Sequence, residues 1–262
     1  MTVIDEFEEE FKKFTGSKYA IACCNGTAAL HTAVTALGIG KGDKVITTPF
    51  SFVSTANCIL YNGGIPIFAD INPNTYLIDP SEVKKQLNQY PDVKAIIPVH
   101  LFGKACDMDS LLKLGVPIIE DCAQALGTRY KRKHVGLFGD FGCFSFYATK
   151  NLSTFEGGMI ITQKSHYNRL TRMIINHGQS KKYRHEILGY NYRMPQICAL
   201  IGLTQLKLHQ IAIKAELGSY GLEQGYYPQI IYNQPLYKKL GIKGNCPNAE
   251  AVAKKVRKII NK

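Results

Sequence analysis

The stretch KYAIACCNGTAALHTAVTALGIGKGDKVITTPF, residues 18–50, decides the fold class. KYAIACC (18–24) is a continuous apolar run without polar alternation, the pattern of a strand buried on both faces. GTAALHTAVTALG (26–38) has helical spacing, and KVITTPF (44–50) reads as a second strand. The alternation continues outward from there. FVSTANCILYN (52–62) reads as helix and IPIFADI (65–71) as strand. DPSEVKKQLNQ (79–89) reads as a helix with Asp79 at its N-cap and Pro80 at its first position. AIIPVHLF (95–102) is a strand, a short helix follows around 107–114, and PIIEDCA (117–123) is the next strand. Apolar strands alternating with helices predict an α/β protein, a three-layer sandwich around a mostly parallel central sheet.

After that the rhythm changes. FGCFSFYAT (141–149) and GGMIIT (157–162) read as strands on either side of a segment that holds Lys150. SHYNRLTRMIINHG (165–178) is helical and closes on Gly178. A polar loop, 179–193, leads into the helical MPQICALIGLTQLKLHQ (194–210). Residues 211–262 form a mixed tail that ends in a basic helix. The expected division is a large domain over 1–210 and a reduced C-terminal α/β domain over 211–262.

The totals limit what this chain does. With 262 residues, 45% of them hydrophobic, it can bury one large core plus a small appendage. No apolar run is long enough to span a bilayer, and MTVIDEFEEEFKKF at the N-terminus is acidic and amphipathic, unlike a signal peptide. Eight cysteines are scattered without a C-x-x-C pair, which reads as buried, reduced thiols in a cytoplasmic protein. The net charge of +12 lies wholly in residues 151–262, where 17 Lys and Arg face 5 Asp and Glu. Such a half can attract nucleic acid, an anionic surface or a phosphorylated small molecule. It can equally be a solvated helix face, the simpler reading of AEAVAKKVRKIINK (249–262). No nucleic-acid motif accompanies the charge, so neither nucleic acid nor membrane is an expected partner.

In open α/β sheets, ligands bind beyond the carboxyl ends of the strands. Three polar signals fall there. CCNGTAAL is a strand–turn–helix junction with Gly26 and Thr27 at the helix start, where free N–H groups and the helix dipole suit a phosphate. IIEDCAQ places two acids, Glu120 and Asp121, at a strand end, to cap a helix or to face a buried cation. SFYATK places Lys150 after another strand end in apolar company, with no acid nearer in sequence than Glu156. Desolvation lowers an amine's pKa and favours its neutral, nucleophilic form. GIGKGD (38–43) lacks dinucleotide-binding spacing, and neither a Walker lysine motif nor an H-x-x-x-H or Cys/His metal cluster occurs.

Taken in order, NGTAALH (25–31), TTPFSFVSTAN (47–57), IIPVHLFG (96–103), IIEDCAQALG (118–127), FSFYATKNLSTFEGGM (144–159) and LGYNYRMPQICALIGLTQL (188–206) resemble the DegT/DnrJ/StrS-type sugar aminotransferases. These are pyridoxal 5'-phosphate (PLP) enzymes of the aspartate-aminotransferase fold. The resemblance runs from about residue 7 to 210, and no single motif carries it. It makes 1–210 the PLP-binding large domain and 211–262 a shortened small domain. It implies that Lys150 binds the cofactor as an imine and then moves the proton between donor carbon and cofactor. Asp121 would keep the pyridine nitrogen protonated so that the ring accepts electrons. Gln124 would sit beside the phenolic oxygen and Phe52 would stack on the ring. Gly26, Thr27 and Ser145 would cradle the phosphate, and Asn191 would reach it from the other subunit of a homodimer. The implied reaction moves an amino group from an amino acid, with glutamate as the expected donor, to a keto group of a nucleotide-linked sugar in polysaccharide biosynthesis.

Other readings stand beside these. Phe52 and Ser145 are ordinary residues in any α/β core, and Glu120 competes with Asp121. His100 and His177 fit a site lining or a structural role equally well, and Arg184 and His185 are candidates for a substrate diphosphate. The departures from the family are also specific. LHQIAIKAELGSYGLEQGYYPQIIYNQPLYKKLG (208–241) reads as a jump across a missing segment, and the family's extra N-terminal segment and longer C-terminal part are not seen. Tyr232 stands where histidine is common, and Phe155 where glycine is usual. The alternative expectation is a truncated PLP-binding homologue with little turnover and a regulatory or scaffold role.

Overall fold

The computed structural model describes residues 1–212 and 226–260. The stretch 213–225, where the jump across a missing segment was expected, lies outside them. The central strands are β1 (Tyr19–Cys23), β2 (Lys44–Thr47), β3 (Ile65–Phe68), β4 (Ala95–Ile97), β5 (Ile119–Asp121), β8 (Phe141–Ser145) and β9 (Gly158–Thr162). Two short pairs, β6 (Arg129–Tyr130) with β7 (Lys133–His134) and β10 (Gln179–Lys181) with β11 (Arg184–His185), lie outside the central sheet. One ladder runs β3–β2–β4 and another β1–β9–β8–β5. Parallel bridges Ile96–Ile118 and Val99–Asp121 join them into one surface. All neighbours are parallel except β9, which runs antiparallel to both β8 and β1. That reversal follows the excursion through Lys150 (146–157), which holds no helix to carry the chain back to the other end of the sheet, so the chain returns antiparallel beside β8.

Helices cover both faces, as the two-sided apolar strands require. On one face α2 (Gly26–Ala36), α3 (Ser54–Tyr61) and α6 (Ser165–Ile174) share a core with Ile21, Val45, Ile97, Ile119 and Cys143. On the other, α1 (Val3–Thr15) and α7 (Gln196–Ala212) pack around Phe7, Phe11 and Phe144. Gly202 permits that approach: a Cβ there would lie 2.6 Å from the Phe7 ring. The same face carries α4 (Pro80–Gln89) and α5 (Met108–Leu112). The expected Asp79 cap is present, its side chain accepting from Ser81 N–H at 2.8 Å.

The described residues after 225 join that second face. Ile230, Ile231, Tyr232, Tyr237 and Val252 share a cluster with Ile46, Phe50, Phe68 and Met108. Here α8 (Pro235–Lys239) is followed by the basic helix α9 (Pro247–Ile260). Asp70, beyond the end of β3, caps α9 by accepting from Asn248 and Ala249 N–H at 2.9 and 3.0 Å. Tyr232, in its histidine-like position, donates to Glu250 at 2.8 Å and accepts from Cys246 N–H at 3.0 Å. Gly244 lies against its ring, where a Cβ would be 2.4 Å from the nearest carbon. The larger phenol is thus accommodated by a glycine and bonded at its tip. All eight cysteines are unpaired thiols, and six are buried.

Candidate active site

The carboxyl ends of the parallel strands open into a cavity of about 570 Å³. Its walls come from the loops after β1, β2, β4, β5 and β8, and from Tyr226 and Tyr227. Of the residues singled out from sequence, Gly26, Thr27, Phe52, Asp121, Gln124, Ser145 and Lys150 all line it. Asn191 does not; it is exposed on the 189–193 loop, bridged to Asn176.

The phosphate-like cradle is built at the start of α2. Asn25 caps the helix through Ala28 N–H at 2.8 Å, with its backbone extended. Gly26 then passes so close to β8 that a Cβ would lie 2.7 Å from Ser145 Cβ. Thr27 Oγ1 and Ser54 Oγ are 2.7 Å apart, joining α2 to α3 at the rim. Helix N–H groups and three hydroxyls therefore converge with no side chain between them, a fit for a phosphate.

Asp121 lies beneath. Its Oδ1 accepts from Ala123 N–H at 3.1 Å and its Oδ2 from Thr55 Oγ1 at 2.8 Å, and Thr55 bonds Ser51 at 3.0 Å. Burial raises its pKa, while those two donors and the nearby Lys150 pull it back only in part. A buried carboxylate with two neutral donors suits one more positive partner, such as a ring N–H⁺. Lys150 sits in a turn closed by its N–H on Tyr147 O at 2.8 Å. Phe146 and Leu152, both buried, anchor the turn on either side. Burial lowers the Lys150 pKa, and Asp121 opposes the shift. Phe52 leaves 60% of its surface exposed on the cavity wall, an apolar ring available to a flat ligand. The donor set, the cradle and the lowered amine together fit PLP.

Glu120 is the other acid of the pair, and it points through the opposite face. Its Oε1 accepts from Phe138 and Gly139 N–H at 2.7 Å each, and its Oε2 from Gly136 N–H at 2.7 Å and His100 Nε2 at 2.9 Å. His100 Nδ1 accepts from Cys106 N–H at 3.0 Å, so its proton sits on Nε2. His100 and Glu120 come close to Cys122, but these bonds leave the carboxylate and imidazole no lone pair for a metal. His177, Arg184 and His185 lie off the cavity: His185 Nδ1 bonds His177 O at 2.8 Å and Arg184 pairs with Glu186 at 2.9 Å. Phe155 explains its own oddity, since its φ of +65° is the left-handed conformation that favours glycine.

Sequence reasoning missed Thr55, Ser54, Tyr226 and Tyr227. Thr55 had a faint signal, three residues after Phe52 inside a quoted motif. Tyr227 stood in the YYP step that resembles the family's late region, but nothing local tied it to the cavity, which it reaches only by tertiary packing.

A sheet of this order, with a lysine after one strand and a buried aspartate facing it, is that of the fold-type I PLP aminotransferases. Streptomyces venezuelae DesV, solved in complex with a ketimine intermediate, superposes with a TM-score of 0.86 at 26% identity, over 100% of this chain and 88% of its own. The DegT/DnrJ/EryC1/StrS aminotransferase family model matches residues 2–216, and the chain belongs to that family. It is 41% identical over 219 residues to the GDP-perosamine synthase of Vibrio cholerae, covering 81% of this chain and 59% of that protein. The chain therefore spans little more than half of that relative's length. It is 36% identical to the pleiotropic regulatory protein of Geobacillus stearothermophilus, covering 96% of this chain and 82% of the relative. That alignment extends over 306 positions, more than the 262 residues present here, so it crosses residues this chain lacks. Among the described residues no helix is long and apolar enough to cross a membrane.

Proposed function

We propose that this chain is a PLP-dependent aminotransferase acting on a keto group of a nucleotide-linked sugar, with an amino acid, glutamate by expectation, as donor. The observation that carries the reading is the convergence of Lys150, Asp121 and the Gly26–Ser145 cradle on one cavity. The names of relatives, among them the GDP-perosamine synthase of Vibrio cholerae, support the substrate class. When bound, the cofactor supplies an electron sink for the carbanion formed at the donor's α-carbon.

The chain's residues have separable tasks. Gly26, Thr27 and Ser145 hold the phosphate, and Phe52 holds the ring face. Asp121 keeps a proton on the ring nitrogen. Lys150 Nζ would hold the cofactor, and its amine would carry the proton from the donor's α-carbon. Its lowered pKa keeps a usable fraction of free amine. Asn191, exposed and outside its own chain's cavity, serves the site of a second copy in a cytoplasmic homodimer. Residues 1–210 act as the cofactor-binding domain, and 211–262 stand for a shortened small domain whose described part packs onto the same core and adds Tyr226 and Tyr227 to the cavity. The long alignment with the Geobacillus stearothermophilus relative supports that shortening.

The test is spectroscopic. The purified chain is expected to bind PLP with a visible absorption band that glutamate converts, and Lys150→Ala is expected to lose the band. Survival of the band in the variant would assign the cofactor to another lysine. A band that no amino acid converts would favour the second reading, a truncated regulatory homologue, which the name of the Geobacillus stearothermophilus relative suggests.

A further inference from the structure

Tyr227 lies outside the motifs between residues 25 and 206 that carry the cofactor roles, in the YYP step (226–228) of the tail, yet its ring walls the cavity. It stands edge-on to Phe50 at 5.7 Å and stacked on Phe102 at 6.3 Å, which fixes the plane of the phenol. Its backbone adopts φ +61°, an uncommon conformation for a tyrosine and one maintained by its surroundings. We propose that Tyr227 is a positioning residue that aims the Gln124 amide at the cofactor's phenolic oxygen. The proposal rests on the reading of the cavity as a PLP site.

The bonds dictate the orientation. Phe102 N–H donates to the Gln124 side chain at 3.1 Å, and only the carbonyl end, Oε1, can accept it. Nε2 therefore faces the other way and donates to the Tyr227 oxygen at 2.6 Å. That uses one of its two hydrogens. The second has no acceptor among the described residues and is left for an oxygen of the ligand. The phenol stays protonated because burial pushes its pKa far up, so it remains a neutral acceptor for the amide. Without the phenolic oxygen the amide is held at one end only and its plane is free to turn about the last side-chain torsion.

Tyr227→Phe keeps the ring and removes the bond. In the cofactor-free chain, urea unfolding of Tyr227→Phe, Gln124→Ala and the double variant measures their coupling. Both changes remove the amide–phenol bond, and Gln124→Ala also removes the acceptor of Phe102 N–H, so the double variant is expected to cost little more than Gln124→Ala alone. In the PLP-loaded chain, Tyr227→Phe is expected to weaken PLP binding about fivefold. It should also move the pH midpoint of the visible band upward, in the same direction as Gln124→Ala. A donor to the phenolic oxygen competes with the protonated lysine–cofactor link for that oxygen, so losing the donor strengthens the link. Additive unfolding costs, or a midpoint that stays with the parent in Tyr227→Phe while Gln124→Ala moves it, would overturn the proposal. If the parent chain binds no PLP, the aminotransferase reading fails, and the unfolding cycle still decides whether Tyr227 positions Gln124.

Discussion

Glu120 and Asp121 are consecutive on β5 and face opposite sides of one sheet. On Glu120's side four donors, three of them backbone N–H groups, surround a carboxylate that is fully buried. On Asp121's side, among the described residues only Ala123 N–H and Thr55 Oγ1 donate, and the side chain lines the cavity. The two residues share a charge, a strand and near-complete burial, and differ in whether the protein itself completes their coordination. A satisfied buried acid holds loops together; an incompletely satisfied one at a cavity is free to act on a ligand.

The comparison is most sharply tested by Glu120→Ala. It strands the N–H groups of Gly136, Phe138 and Gly139 together with His100, and is expected to cost about 3–5 kcal/mol in urea unfolding. A loss below about 1 kcal/mol would break the contrast. Next comes Gly26→Ala on the cavity side, where the new Cβ meets Ser145 at 2.7 Å. Overpacking of this kind costs about 1–3 kcal/mol, and PLP affinity is expected to fall with it; an unchanged affinity would separate the close approach from the cradle. Phe155→Gly, at φ +65° and 72% exposed, is expected to gain about 1 kcal/mol by relieving the left-handed backbone. No gain in melting temperature would mean the ring earns a contact with something the single chain does not contain.

The smallest effect is expected at Asp121, and its sign depends on pH. Burial raises the Asp121 pKa, so the folded chain holds that proton more tightly than the unfolded chain. Its charge is therefore without cost below the usual carboxylate range and costs stability as pH rises through the raised value. Asp121→Asn should match the parent at low pH and be slightly more stable than it near pH 7 in the cofactor-free chain. A variant that loses several kcal/mol there would place Asp121 with Glu120 as a structural acid.

Much of this was legible in the chain. The runs at 18–24, 95–102 and 117–123 gave strands because each holds several consecutive apolar residues, with the polar His100, Glu120 and Asp121 falling toward the strand ends, although the ladders are shorter than the runs. The runs overshoot because their ends form the cavity loops, where apolar residues pack without ladder bonds. The antiparallel β9 could not be read from composition, since GMIIT is as apolar as the parallel strands of the sheet. Residues 226–256 read as a tail of their own, yet the described part shares the core of α4 and α5. Nothing local in those residues names their partners.

The sequence by itself determined the α/β alternation, the lysine after a strand end, the glycine at a helix start and the presence of two acids on opposite sides of one strand. These follow from periodicity and from the chemistry of single residues, which act over a few positions. Only the tertiary structure decided which acid faces the cavity, that a tyrosine from beyond residue 225 fixes Gln124, and that Phe155 lies in a backbone conformation suited to glycine. Those outcomes depend on groups far apart in the chain meeting in space, and a one-dimensional pattern carries no record of which pairs meet.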